Sequence, residues 1–396
     1  MPEHARYSSI ISTYAGLFLI TAATYMVMYG PQPMFNTISR DLGVDRGSIG
    51  LVISVFMVFL SVSPLCVGLL LGKIGIRRAL FASSAAMILC GAALYFVPSF
   101  GALMTVRTVQ GMLTPILLTG VMAAIAGLFR HLDINRAMAG FVAASTLGSL
   151  AGRLLGGCSA EWIGWRESLT LMCGLFVICL FAIRRMPAAN NASSVRIHRL
   201  SEYRQVLRQK GVAPLISVEA CGLFTFAAIG NLIPLRMAEL GHGTSEGLIG
   251  LMYLGYAVGP VAASCLGPLT RLFGSTARLL IFGASLFAVS LLSFLAPCPT
   301  VIFAGLWFVA LGEFIIHALC PGVINHLATR TGHCDRGMVN GLFLSCYYFG
   351  GLVGSWLPGL LYQHFGWTAC FASMEAVQLC SLTVVLILTR RMPDIR

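Results

Sequence analysis

The sequence predicts an all-α membrane protein whose twelve spans form two pseudo-symmetric six-helix bundles. Three observations carry that prediction. Hydrophobic residues fill 57% of 396 positions and charged residues only 10%. A soluble domain carries about 25% charge, so this chain cannot clothe a water-facing surface. Apolar runs of about 20 residues, the length that crosses a bilayer, recur twelve times. A glycine pattern in the first half returns 202 residues later, near the C-terminus.

The expected spans cover residues 10–34, 48–71, 79–97, 101–129, 137–160, 168–183, 212–234, 248–269, 279–295, 301–325, 338–362 and 368–388. The first reaches its end at Tyr29-Gly30-Pro31-Gln32-Pro33, and the second ends at the basic loop of Lys73, Arg77 and Arg78. Further basic linkers hold Arg130 and Arg136, the run 184–210, Arg271 and Arg278, Arg330 and Arg336, and the tail with Arg390, Arg391 and Arg396. The alternate linkers hold Arg40, Arg46 and Arg166, with Arg236 at their edge, among Asp41, Asp45, Glu161, Glu167, Glu239 and Glu246. An even number of spans puts both termini on one side, and the excess of cations places that side in the cytoplasm. The same rule accounts for the net charge of +12 without a nucleic-acid partner.

One linker is long. Residues 184–211 contain Pro187 and the polar run from Asn190 to Ser194, then turn basic and helix-capable around 200–209. They divide the chain into a six-helix bundle at 1–183, a cytoplasmic linker, and a second bundle at 212–396. The sequon at Asn191 faces the cytoplasm and is expected to carry no glycan. The thirteen cysteines are scattered, mostly inside apolar runs and without a CxxC, as small core residues are. No cleavable signal peptide is expected, because the first apolar run is long enough to span. There is no P-loop, no metal-ligand spacing and no nucleophile with a believable base. An enzyme, direct ATP drive, a cofactor and a metal are therefore not expected.

The repeat is specific. Gly148, Gly152 and Gly156 stand at i, i+4 and i+8, with Gly157 beside them. A helix face without side chains lets a second backbone lie against it. A shift of 202 carries Gly148 to Gly350, Gly152 to Gly354, Gly157 to Gly359 beside Pro358, Gly164 to Gly366 and Trp165 to Trp367. A second repeat, shifted by 199, relates the stretch Gly68 to Gly75 after span two to Gly267 to Gly274 after span eight.

Ionisable residues inside spans are costly and face the interior or an aqueous cavity. Arg107 is one, with Gln110 a turn later on the same face. Arg153 either locks an interface or lines the path. Glu313 and His317 are four apart on span ten and share a face. They are proton-carrier types, or a locally paired duo. Glu219 on span seven is a further proton candidate, with an interfacial position as its alternative, and Glu375 is a weaker one on span twelve. Tyr25, Tyr29, Gln32 and the Tyr347-Tyr348 pair line a cavity or belong to packing and the aromatic belt.

These motifs resemble the major facilitator superfamily along the whole chain, and within it the proton-coupled drug and metabolite exporters. The loop Gly68-x-Leu70-x-Gly72-Lys73-x-Gly75-Ile76-Arg77-Arg78 is similar to the family's GxLxDRxGRR gate signature, with Gly72 in the acidic place. Arg107-Thr-Val-Gln110-Gly111 matches its RxxQG motif, whose arginine is tied to proton coupling. Gly148 to Gly157 matches the antiporter motif GxxxGPxxGG at every glycine, with Arg153 in the place of proline.

The resemblance implies a carrier, expected as a monomer in a bacterial inner membrane, that works by alternating access. Its partners are a small-molecule substrate, protons and the lipid bilayer. Arg107, Glu219, Glu313 and His317 would couple the proton. Tyr29, Gln32, Arg107, Gln110, Arg153, Tyr347 and Tyr348 would bind substrate near the midplane. Export of a toxicant, siderophore or metabolite by proton antiport is the expected activity. An importer or uniporter of a sugar or organic anion is the alternative on the same fold, and a receptor or scaffold without transport is the rival of another class.

Overall fold

The computed structural model describes residues 3–128, 134–186, 200–241, 245–329 and 336–392, and every regular element among them is helical. The Asn191 sequon and most of the linker lie outside the described residues. Among the described residues, ten helices are long and apolar enough to cross a membrane, and Leu51–Val62 with Val67–Ile74 makes an eleventh as a broken span. The last of the ten, Met338–Arg391, runs 54 residues. That is roughly 80 Å of helix at 1.5 Å per residue, against about 30 Å of hydrocarbon. It is two spans end to end, joined where Gly366 leaves the helical region at φ 76°. Twelve crossings result, as the sequence predicts.

The spans are less regular than the hydropathy suggests. α1 (Glu3–Tyr29) stops at Pro31 and Pro33, passes a 3-10 turn (Gln32–Met34) and resumes as α2 (Phe35–Leu42). Span two is α3 (Leu51–Val62) and α4 (Val67–Ile74), broken around Pro64. Spans three to six are α5 (Ile76–Tyr95), α6 (Phe100–Leu128), α7 (Ile134–Ile163) and α8 (Trp165–Arg185). A short α9 (Leu200–Arg208) forms where the linker turns basic, and span seven is α10 (Val212–Glu239). Span eight is not one helix. It runs α11 (Glu246–Met252), a 3-10 turn (Tyr253–Ala257), α12 (Val258–Ser264) and α13 (Leu266–Phe273). Pro260 removes the N–H that the Tyr256 carbonyl would take, so the helical ladder cannot run through. The chain closes with α14 (Thr276–Leu291), α15 (Pro299–Thr329) and α16 (Arg336–Arg391).

The repeat is visible in the backbone. Among the described residues, seven glycines have positive φ, and six of them fall at corresponding places in the two halves: Gly43 and Gly241, Gly75 and Gly274, Gly164 and Gly366. Only a residue without Cβ takes such angles freely, so each tight joint keeps its glycine in both copies.

The chain divides into two compact units. The first comprises Met1–Gly43, Leu65–Arg196 and Ser245–Leu251. The second comprises Val44–Pro64, Ile197–Thr244 and Met252–Arg396. Each therefore includes a short piece of the other sequence half. In the first unit, Gly148, Gly152 and Gly156 lie on the backbone of Ala22, Met26 and Gly30, where a Cβ would overlap main-chain atoms. In the second, Gly350 and Gly354 lie in the same way on Ala220 and Phe224 of α10. Gly157 and Gly359 serve a different contact. Gly157 faces Glu246 and Gly250 of α11, and Gly359 faces Gly47 before α3. These are counterpart contacts, because Gly47 and Glu246 are 199 residues apart.

Candidate functional site

In the first unit the site is built around the broken end of α1. A helical carbonyl is satisfied by the N–H four residues on. For Val27 that residue is Pro31, and for Tyr29 it is Pro33, and proline has no N–H. An orphan carbonyl in a membrane interior is costly. Arg107 of α6, with no exposed surface, supplies donors. Its Nη1 donates to the Val27 carbonyl at 3.0 Å and its Nη2 to the Met28 carbonyl at 2.9 Å. Nη1 also donates to Gln110 Oε1 at 3.0 Å, and Gln110 Nε2 turns toward Cys173 Sγ at 3.3 Å.

Arg153 completes a second group at the same helix end. Its Nε donates to Gln32 Oε1 at 2.6 Å and its Nη1 to the Ser149 carbonyl at 3.0 Å. Its guanidinium lies 4.3 Å from the Tyr29 ring centroid, a cation–π contact. Tyr29 stacks on Tyr25 at 6.4 Å. Of the expected substrate residues, the structure thus brings Tyr29, Gln32 and Arg153 into one group, and Arg107 and Gln110 into another. The counterparts of Arg153 and Gln32 in the second unit are Ser355 and Asn231. There Asn231 Nδ2 donates to the Ser355 carbonyl at 3.1 Å, beside a void of about 10 Å³. Arg153 is therefore a charge added to a frame that the other half fills with small polar groups.

The second unit holds the acidic cluster. Glu219 of α10 and Glu313 of α15 are both buried, at 1% and 3% exposure. His317 Nδ1 lies 2.9 Å from Glu219 Oε2. The alternative of a Glu313–His317 duo paired along one helix is not what the structure shows. His317 reaches across to Glu219 on α10, whose carboxylate lies within hydrogen-bond distance of its ring. Glu219 is enclosed by protein on all sides. Glu219 Oε1 and Glu313 Oε2 are buried without a hydrogen-bond partner among the described residues. The His317 side chain keeps about a third of its surface exposed, at 34%. Tyr347 stacks on His317 at 4.7 Å, and Tyr348 meets Tyr347 edge-on at 5.4 Å.

Three further neighbours of this region were not singled out in the sequence. Gly222, one turn after Glu219, faces the Glu313 carboxylate, and a Cβ there would overlap its oxygens. The Cys320 thiol also lies beside Glu219. Gln378 donates Nε2 to the Cys221 carbonyl at 2.9 Å and to Thr225 Oγ1 at 2.8 Å. A glutamine inside an apolar span was the one usable hint. A buried carboxylate bonded to a partly exposed imidazole can take up and release a proton. Among the described residues, no group of three or more His, Cys, Asp or Glu could hold a metal.

The remaining motifs anchor loops. Arg166 pairs with Asp41 at 2.5 Å, and Trp165 Nε1 donates to the same carboxylate at 3.0 Å. In the gate loop, Gly75 makes the turn at φ 88°, and Arg77 donates to the Arg184 carbonyl at the end of α8. Lys73 and Arg78 are exposed. A Cβ at Gly72 would meet nothing, so the fold does not demand glycine in the family's acidic place. Gly68 is half-buried in α4, and Pro358 lies inside α16.

Comparison with known proteins agrees with this architecture. The family model described as Major Facilitator Superfamily matches residues 17–255 and 215–395. The chain is 24% identical over 386 residues to the inner membrane transport protein YnfM of Escherichia coli (strain K12), covering 95% of this chain and 90% of that one. It is 22% identical over 381 residues to the uncharacterized MFS-type transporter YybF of Bacillus subtilis (strain 168), covering 94% and 93%. Among solved structures, a bacterial homolog to the human lysosomal transporter Spinster, in an inward-facing and occupied conformation, superposes with a TM-score of 0.74 at 14% identity, covering 97% of each chain.

Proposed function

The chain belongs to the Major Facilitator Superfamily, and from that premise we propose that it exports a small organic molecule in exchange for protons. It is a multi-pass membrane transporter by membership. Export, proton antiport, a bacterial inner membrane and cytoplasmic termini are the reading argued here. The halves 1–183 and 212–396 would rock about a substrate held near the midplane.

The observation that carries the reading is the Glu219–His317 pair with Glu313 a turn away. A charge in a low-dielectric interior is expensive unless paired. Protonating or deprotonating this cluster changes that cost differently in the two conformations, and so biases the equilibrium between them. One pKa unit of difference between conformations is worth about 1.4 kcal/mol. Arg107 enters as a positioning residue, since a guanidinium does not release its proton in proteins. Both interior arginines already hydrogen-bond within the protein, so neither requires an anionic substrate as its partner. The substrate range, whether toxicant, siderophore or metabolite, follows from none of these contacts.

The test is flux in proteoliposomes. Adding a transported substrate to vesicles with an imposed pH gradient should dissipate that gradient, and Glu219→Gln should abolish the dissipation. Substrate flux without proton movement in the unaltered protein would favour a uniporter. Absence of flux for every substrate class would favour a receptor.

A further inference from the structure

The second unit carries an apolar cleft that the transport reading does not use. Its volume is about 550 Å³, within the roughly 300–1,000 Å³ of small-molecule sites. It is lined by Val62 of α3, Leu207 of α9, Ile216 and Ala220 of α10, and Cys346 and Phe349 of α16. Val62 and Phe349 each expose more than half of their surface. Open surface of this kind suits a hydrocarbon occupant better than a polar solute.

The helix at its rim adds a charge. Val206 is fully buried and anchors α9, while Leu207 next to it reaches the cleft. Arg204 and Arg208 on α9, and Lys210 just past its end, are exposed. α9 follows the linker on the side of the chain that carries the basic residues. A hydrocarbon cleft rimmed by an amphipathic cationic helix has the chemistry of a phospholipid with an anionic headgroup. Ser345 Oγ, in the wall of the same cleft, is buried without a hydrogen-bond partner among the described residues and offers a donor to an ester oxygen.

We propose that this cleft binds one anionic phospholipid, with its acyl chain between α10 and α16 and its headgroup on Arg204, Arg208 and Lys210. A zwitterionic lipid could fill the cleft but would leave the cations without a net countercharge, so the site discriminates by headgroup.

The experiment is native mass spectrometry of the full chain in detergent, titrated with phosphatidylglycerol or phosphatidylcholine of the same acyl composition. The unaltered chain should retain phosphatidylglycerol several-fold more tightly. The double variant Arg204→Gln/Arg208→Gln should bring it down to the phosphatidylcholine level. Arg390→Gln/Arg391→Gln, which removes the same charge from exposed sites elsewhere, should leave the preference intact. Ser217→Trp, which fills the cleft, should weaken both lipids. Equal retention of the two lipids by the unaltered chain overturns the proposal. So does an equal loss of preference in both arginine double variants, which would mean bulk charge alone. Competitive displacement of phosphatidylglycerol by a transported substrate would make the cleft part of the transport path and overturn it as well. All four arginines are exposed, so the test stands even if Ser217→Trp does not fold.

Discussion

Arg107 Nη1 lies 3.0 Å from the Val27 carbonyl, the oxygen that Pro31 leaves without a helical donor. A proline that breaks span one and an arginine on span four are thus two parts of one device. Removing one partner of a buried hydrogen bond costs about 1–3 kcal/mol per group left unsatisfied. Arg107→Ala should therefore lower the melting temperature in detergent, and Arg107→Lys should recover little of it, because one ammonium does not reproduce the planar fork. Adding Pro31→Ala to Arg107→Ala returns an N–H to Val27 and should recover part of the loss. No recovery in the double variant would sink the capping account. Full proton-driven transport by Arg107→Ala in vesicles would remove Arg107 from coupling as well.

The Glu219–His317 contact predicts a shared pH response. Glu219→Gln should flatten the pH dependence of substrate flux, and His317→Gln should flatten it in the same direction. In a double-mutant cycle on proton-coupled flux the pair should be non-additive by about 0.5–3 kcal/mol. Additive effects would show that the two side chains act separately.

Gly222 gives a steric test of the same cluster. Gly222→Ala places a methyl group against the Glu313 carboxylate, and overpacking of this kind costs about 1–3 kcal/mol. Coupling should fall with it. Gly322→Ala on α15, where a Cβ meets nothing within 4 Å, should be silent in both stability and flux. If Gly222→Ala is silent too, Glu313 is free to move and the cluster is looser than described.

The glycine faces should fail as a matched pair. Gly152→Leu and Gly354→Leu each drive a side chain into a neighbouring backbone. Both should reduce folded protein recovered from membranes, as judged by size-exclusion profile. Gly72→Asp restores the acid of the gate signature at a position with open space, and should fold like the unaltered chain. A loss on Gly72→Asp comparable to the other two would mean that the loop packs more tightly than its open surroundings indicate.

Much was legible along the chain. Hydropathy marked the twelve crossings, and the glycine repeat returned as counterpart backbone contacts in the two units. These signals act residue by residue, and a bilayer reads them one span at a time. The breaks were only partly legible. Pro31 and Pro33 stood at the end of the first expected span, but Pro260 inside span eight was passed over because its apolar run is unbroken.

What the tertiary structure alone decided is which groups meet. Glu313 and His317 share a face in sequence, yet His317 bonds to Glu219, 98 residues away. Gly152 and Gly157 belong to one motif, yet one lies on α1 and the other on α11. Arg107, expected to couple the proton, also holds the end of a broken helix. A span's hydrophobicity fixes that it crosses the membrane. Its rotation about its own axis, and hence the partner of each buried polar group, is set by packing and hydrogen bonding against helices distant in sequence.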